Sequence, residues 1–314
     1  MAKPPDLQQL PRLPDEVIQA ALNGELILFV GAGVSRLVNL PSWNSLAWNA
    51  LEALRKKDLL NFSELEQLKV LDAKKQLSIA QLIAEESEVD LNLPSYFAGV
   101  SEGTSIYKTI NDIGCVCVTT NYDELLSPRF TEAAGEPTGA VSVKPKEPIR
   151  ISEKERFLAK WLDEPGTVVH LHGAVSKPAT MVVTTSDYLA HYDHRNVQHF
   201  LRDLFDRKVV LFLGYGLEEV EILEHILRRG ETRRAKDRRR FALQGYFLSQ
   251  DPLYRKLYSY YEQSFGVHLI GYVRDHNDYA QQEAIFREWA PQIRVRKPAL
   301  AGDLEKMDEV LGRV

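Results

Sequence analysis

Four short stretches hold the residues best suited to chemistry. They are Gly31-Ala32-Gly33-Val34-Ser35, Thr120-Asn121-Tyr122-Asp123, His172-Gly173 and Gly214-Tyr215-Gly216-Leu217. Glycines reach φ values closed to other residues and let an anionic ligand approach bare backbone N–H groups. Ser35 would add a hydroxyl donor. Asn121 brings an amide, Asp123 a carboxylate, and His172 an imidazole that titrates near neutral pH. These are parts for holding a charged ligand and for acid–base work on it. Each stretch taken singly also has a plain structural reading. Two glycines one residue apart can make a tight strand-to-helix turn, Asn121 and Asp123 can cap a helix, and His172 can be a core histidine. No third glycine completes a G-x-G-x-x-G pattern.

The elements that must position them are legible around them. Strands are expected at 25–30 (ELILFV), 114–120 (GCVCVTT), 167–171 (TVVHL), 209–213 (VVLFL), 243–248 and 267–270, with a short one at 181–184. Apolar residues spaced three and four apart predict helices at 14–23, in several pieces over 43–101, across NVQHFLRDLFDRK and across DPLYRKLYSYYEQS. Residues 121–126 turn towards helix, and 134–149, rich in Gly, Pro and Lys, read as a loop. Short strands that are apolar on both faces and alternate with helices imply a parallel sheet covered on both sides. The fold class is therefore α/β: a doubly wound, mostly parallel Rossmann-like sheet with an inserted helical module at about 43–113. An arm and helix (1–24) precede a single ligand-binding domain (25–295), and a tail (296–314) follows. Ligands of such sheets bind beyond the carboxyl ends of the strands, where all four stretches lie.

Bulk properties exclude several classes. A net charge of −5 argues against a nucleic-acid binder that uses its whole surface. No apolar run approaches the ~18 residues that span a bilayer, and the first residues lack the apolar core of a secretory signal. The two cysteines, Cys115 and Cys117, lie two apart in one strand and are poorly placed to bridge. A reducing cytoplasmic location is expected.

In order and spelling the four stretches resemble the sirtuin superfamily: a GAG-x-S loop, a T-x-N-x-D segment, an H-G after a strand, and a G-x-S/G-L turn. The resemblance covers about Leu26 to Glu221. It implies that Gly31, Ala32, Gly33 and Ser35 hold the diphosphate and ribose of NAD+. Asn121 and Asp123 would flank the nicotinamide ribose, His172 would be the catalytic histidine, and Gly214 with Leu217 would line the adenosine side. Thr120, Tyr215 and Gly216 complete the expected contacts. Gly216 stands where the family often has serine, and Glu218 or Glu219 where it has aspartate.

Protein-deacylating sirtuins carry a zinc module held by four cysteines, and this chain has two. The resemblance is therefore to the zinc-free, sirtuin-like NAD+ glycohydrolases of bacterial anti-phage defence, which deplete NAD+. Asn121, His172 and Asp123 are the expected catalytic residues, NAD+ is the substrate, and no metal is expected. His191, His194 and His199 read as an exposed helical surface. A deacylase, an ADP-ribosyltransferase and a non-catalytic NAD-binding regulatory subunit are the alternatives.

Such a hydrolase needs restraint. The resemblance implies a homo-oligomer and an activating partner, a HerA-type ATPase or an Argonaute-like protein; the chain's length is most like the HerA-paired kind. Two segments are candidate contacts. The stretch from Arg228 to Arg240 has eight basic and two acidic residues, and reads as a solvated connection or as a patch for nucleic acid or an acidic partner. The tail has a narrow apolar stripe of Leu304, Met307, Val310 and Leu311.

Overall fold

Five apolar residues in a row, Leu26–Val30, form strand β1, and all five are buried. Their side chains alternate between two cores. Leu26, Leu28 and Val30 join one, Ile27 and Phe29 the other. An unbroken apolar run is what a strand with two covered faces requires. The structure is a computed structural model that describes residues 5–99, 105–129, 148–217, 219–230 and 238–295.

Six more strands complete the sheet: β2 (Val116–Thr119), β3 (Ile149–Ile151), β4 (Thr167–His170), β5 (Val209–Leu213), β6 (Arg240–Tyr246) and β7 (Val267–Val273). The order is β3-β4-β2-β1-β5-β6-β7, and every pair is parallel. Helices α1 (Asp15–Leu22) and α2 (Ala32–Arg36) flank β1 in the chain. Next come α3 (Trp43–Arg55), α4 (Phe62–Leu68), α5 (Ala73–Glu86) and α6 (Ser105–Ile113). The second half adds α7 (Thr185–Tyr192), α8 (Arg195–Arg207), α9 (Val220–Gly230), α10 (Asp251–Phe265) and α11 (Gln281–Ile293). Apolar residues of α1, α6 and α11 build the core on one face of the sheet, and those of α8, α9 and α10 the core on the other.

Helices α3, α4 and α5 share a core of their own, including Leu46, Leu51, Leu54 and Leu77, whereas α6, also within the 43–113 range of the expected module, packs into the core on the sheet. Each of α3, α4 and α5 starts on a capping side chain: Ser42, Asn61 and Asp72 accept from the N–H groups of Ser45, Glu64 and Lys75. Tyr122 and Val183 belong to the same cluster, which ties the module to the ends of β2 and β4.

The sequence-based reading differs from the structure in several places. Residues 121–126 are not helical, because side chains take their N–H groups: Thr119 Oγ1 accepts from Asn121, Asp123 Oδ1 from Leu125, and Asn111 Oδ1 from Ser127. No strand forms at 181–184; Val182 donates to the His172 carbonyl, and Thr184 caps α7. β3 and α11 were not anticipated. β3 has three residues, too few for a periodicity, and Pro291 in its last turn disguises α11. β6 starts at Arg240, which is buried and donates to the carbonyls of Phe205 and Phe265. Arg240 is thus core rather than patch, while Arg238 is exposed. Residues 231–237 of that stretch, most of the 134–149 loop, Glu218 and the 296–314 tail lie outside the described residues. At the far edge Gln8 of the arm pairs with Tyr272 of β7 and accepts from Val273 N–H.

The chain runs from β1 out to β2 on one side and returns to β5 on the other, so the strand order reverses between β1 and β5. The loops leaving these two strands touch backbone to backbone. Gly31 N–H donates to Leu213 O at 2.9 Å and Gly33 N–H to Gly214 O at 2.7 Å. A Cβ on Gly31 or Gly33 would lie 2.7 Å from Gly214 O, and one on Gly214 would lie 2.5 Å from Val34 N. Gly214→Ala should therefore cost about 1–3 kcal/mol beyond the left-handed strain of ~1 kcal/mol. Gly24→Ala is the control, since Gly24 shares a positive φ but has nothing within 4 Å of the added carbon. Equal losses in urea unfolding would refute the contact as the reason for the glycine.

Candidate functional site

A cleft of about 950 Å³ opens above the carboxyl ends of β1, β5 and β6. Its walls are Ala32, Gly33 and Arg36 on one side and Gly214 to Gly216 on another, with Gln244, Asn277 and Tyr279 beyond. The helical module contributes Trp43, Asp72 and Lys74. A smaller inner cavity of about 70 Å³ adjoins it, sharing Ala32, Ser42, Trp43, Thr120, Tyr188 and Glu219 as lining. Ser35, Asn121, Asp123 and His172 all line this inner cavity, against an apolar wall of Leu46, Phe97 and Tyr122. The fold thus gathers residues that are far apart in the chain.

Asn121 is buried and held at three points. Its N–H donates to Thr119 Oγ1, whose hydroxyl donates to Val30 O. Its carbonyl faces His170 Nδ1 at 3.3 Å, so that ring nitrogen carries the proton. Its side-chain Nδ2 donates to Gly31 O at 3.1 Å and to Ser35 Oγ at 2.8 Å. A backbone carbonyl can only accept, which fixes the amide orientation. Oδ1 is then left buried with no partner among the described residues. A buried acceptor without a partner is costly in a folded protein. Asn121 is one of the residues that line the inner cavity.

Asp123 is placed differently. Oδ2 accepts from Ser35 Oγ at 2.7 Å, and Oδ1 from Tyr107 Oη and Leu125 N–H. Both carboxylate oxygens are engaged, and the group fixes Ser35 of α2 and Tyr107 of α6 beside Asn121.

His172 is buried in a ring of aromatic groups: Tyr188, His191 and Tyr192. Its Nε2 is 2.7 Å from Tyr192 Oη, and Tyr188 Oη stands 3.5 Å from Nδ1. Burial, with His191 and Lys74 nearby, drives its pKa well below the usual histidine value, so it is neutral. His191 was expected on an exposed surface but is buried against Phe157 and Tyr192, and burial takes it down to about 4. The i, i+4 spacing of Tyr188 and Tyr192 on α7 was the available signal for this aromatic ring.

Of the other expected contacts, Gly31 and Leu217 line neither cavity. Leu217 is buried in the core on the α8 side, and Gly31 lies under the β5 loop. The donors expected to meet a diphosphate, Gly31 and Gly33 N–H, are given to Leu213 and Gly214. The glycines answer to that backbone contact. Glu219, noted only as a departure from the family pattern, lines both cavities and accepts from Tyr215 Oη at 2.8 Å. Burial pushes its carboxyl up to about 7 against the opposing effects of Tyr215 and Lys74.

Residues 116–270 match the SIR2-like domain family. The chain is also 26% identical to Defense-associated sirtuin 2 of Bacillus subtilis over 216 residues, 66% of this chain. The chain spans only about a fifth of that relative, the matched part being 19% of its length. The SIR2-like match begins at β2, while β1 and its Gly31-to-Ser35 turn lie before it. The structure places this strand at the centre of the same sheet. Among the described residues no group of three or more His, Cys, Asp or Glu is arranged to hold a metal, and no helix is long and apolar enough to cross a membrane.

His170, His172 and His191 stay neutral in the fold and take up protons when unfolded. A base whose folded pKa is depressed loses stability as pH falls below its unfolded value of 6.5. Each such histidine contributes up to about 1.4 kcal/mol per pH unit. For His191 this applies from 6.5 down to about 4. His191→Gln should flatten the fall in unfolding free energy across that window by up to one proton's worth; an unchanged slope would refute it.

Proposed function

We propose that this chain hydrolyses NAD+ to nicotinamide and ADP-ribose and is an effector of anti-phage defence by NAD+ depletion. One observation carries the reading. Asn121, whose buried Oδ1 has no partner among the described residues, and a neutral His172 line the same small cavity, which adjoins the cleft at the strand-order reversal. The cleft volume lies within the ~300–1,000 Å³ of small-molecule and cofactor sites. The SIR2-like match supports NAD+ as the ligand, and the relative's name supports the defence role.

The residues suit the bond. Nicotinamide leaves a cationic pyridinium as a neutral base, so its departure needs no proton donor. The protein must instead favour positive charge at the ribosyl carbon and place a water. Asn121 Oδ1 is an acceptor for that water or for a ribose hydroxyl. A protonated His172 would repel both the substrate cation and the developing charge; burial keeps it neutral. A ribose hydroxyl would reach it by replacing the Tyr188 hydroxyl, which stands 3.5 Å from Nδ1. Asp123 keeps Ser35 and Tyr107 in place around Asn121. With the first-loop N–H groups engaged elsewhere, the cleft's Arg36, resting against Tyr279, takes the diphosphate charge.

A deacylase is disfavoured by the cysteines. The chain's two are buried at β2, in the middle of the sheet, so they build no four-thiolate module. Activity of this kind is restrained until a second copy or a partner engages; a HerA-type ATPase is the partner proposed. Asn121→Ala and His172→Ala should each lower nicotinamide release at least about 100-fold with the fold retained by circular dichroism. Release from both variants at the parent rate would defeat the reading.

A further inference from the structure

We infer that Glu219 is the catalytic base of this hydrolysis, the group that takes the proton of the attacking water. The inference rests on the function proposed above. In the balanced step the bond from the ribosyl carbon to the nicotinamide nitrogen breaks, its electron pair leaving with nicotinamide. A bond from the water oxygen to that carbon forms, and a water proton passes to the Glu219 carboxylate and then to solvent.

The argument is one of availability. Two carboxylates line the inner cavity, Asp123 and Glu219. Both oxygens of Asp123 accept from Ser35, Tyr107 and Leu125. Glu219 gives only Oε2, to Tyr215 Oη, and Oε1 has no hydrogen-bond partner among the described residues. His172 has a tyrosine hydroxyl at each ring nitrogen and is a weak base, its pKa lying far below 6.5. Glu219 also stands at the junction of the two cavities, on the wall shared by both. Its loop is anchored beneath by Tyr215, whose ring packs on Phe29 and Phe212. The charged and titratable groups that face it are Tyr215 from its own loop, Glu221 from α9, Lys74 from α5, Tyr188 and Tyr192 from α7, and Tyr122 after β2. Lys74 is engaged by Glu221 at 2.6 Å and lies over the Tyr188 ring. A carboxyl raised to about 7 is matched to accepting a proton near neutral pH.

The test is Glu219→Gln in the full chain, with Glu219→Asp beside it. In the parent, kcat/KM for NAD+ cleavage should rise with pH through about 7, since kcat/KM reports the free enzyme. Glu219→Gln should lose this limb and at least about 100-fold in kcat/KM at pH ~8, and Glu219→Asp should restore a limb. A second readout does not depend on turnover. A carboxyl whose folded pKa is raised stabilises the fold below its unfolded value of 4.5, and that stability is lost as pH rises through about 7. Glu219→Gln removes the burden of the ionised form and should melt at or above the parent at pH ~8. A variant that melts below the parent there marks Glu219 as structural and overturns the assignment. So does a variant that keeps both rate and limb. If the parent releases no nicotinamide, the proposed function and this inference fall together. If the parent is active and Glu219→Gln equally so, this inference alone falls.

Discussion

The site depends on one backbone-to-backbone contact, the meeting of the loops that leave β1 and β5. Two N–H groups of the first loop donate to the carbonyls of Leu213 and Gly214, with no room for a side-chain carbon between them. This contact sets where α2 begins, and so where Ser35 stands. Ser35 in turn accepts from Asn121 and donates to Asp123. It also sets the start of the loop that carries Tyr215 and Glu219. A sheet whose strand order reverses at this point leaves a crevice there, and the glycines decide how narrow its floor is.

Above that floor the pKa values of the buried groups are set chiefly by burial, beside one ion pair, Lys74 with Glu221. Histidines are kept neutral and a carboxyl is kept half-protonated near neutrality, all by removal from water. The aromatic ring around His172 supplies the apolar surroundings and hydroxyl partners together. A site that handles a cation gains from a neutral imidazole as much as from a nearby carboxylate.

Much of the fold was legible because a doubly covered parallel sheet writes unbroken apolar runs, and β1, β2 and β5 each show one. Less was legible where side chains replaced backbone partners. Residues 121–126 look helical by composition, yet Thr119, Asp123 and Asn111 take the N–H groups a helix would have used. Asn121, Asp123 and His172 were picked out by type and by position at strand ends, and the fold does bring them to one cavity. The environment of each was not readable. Nothing local marks an Asp123 with both oxygens engaged, since Ser35 and Tyr107 reach it through the tertiary fold, whereas the Tyr215 that holds Glu219 stands only four residues before it. The close contact of the glycine pair was not readable for a similar reason: the group it makes way for lies some 180 residues along the chain, at Gly214.

The arm that pairs through Gln8 with Tyr272 has a consequence for assembly. Val273 already has its acceptor there, and Gly271 is packed under Leu7, so the arm covers the outer rim of β7 at its carboxyl end. Copies of this protein cannot zip their sheets together along that rim without first peeling the arm away. The covered part of this edge is thereby denied to strand-to-strand aggregation.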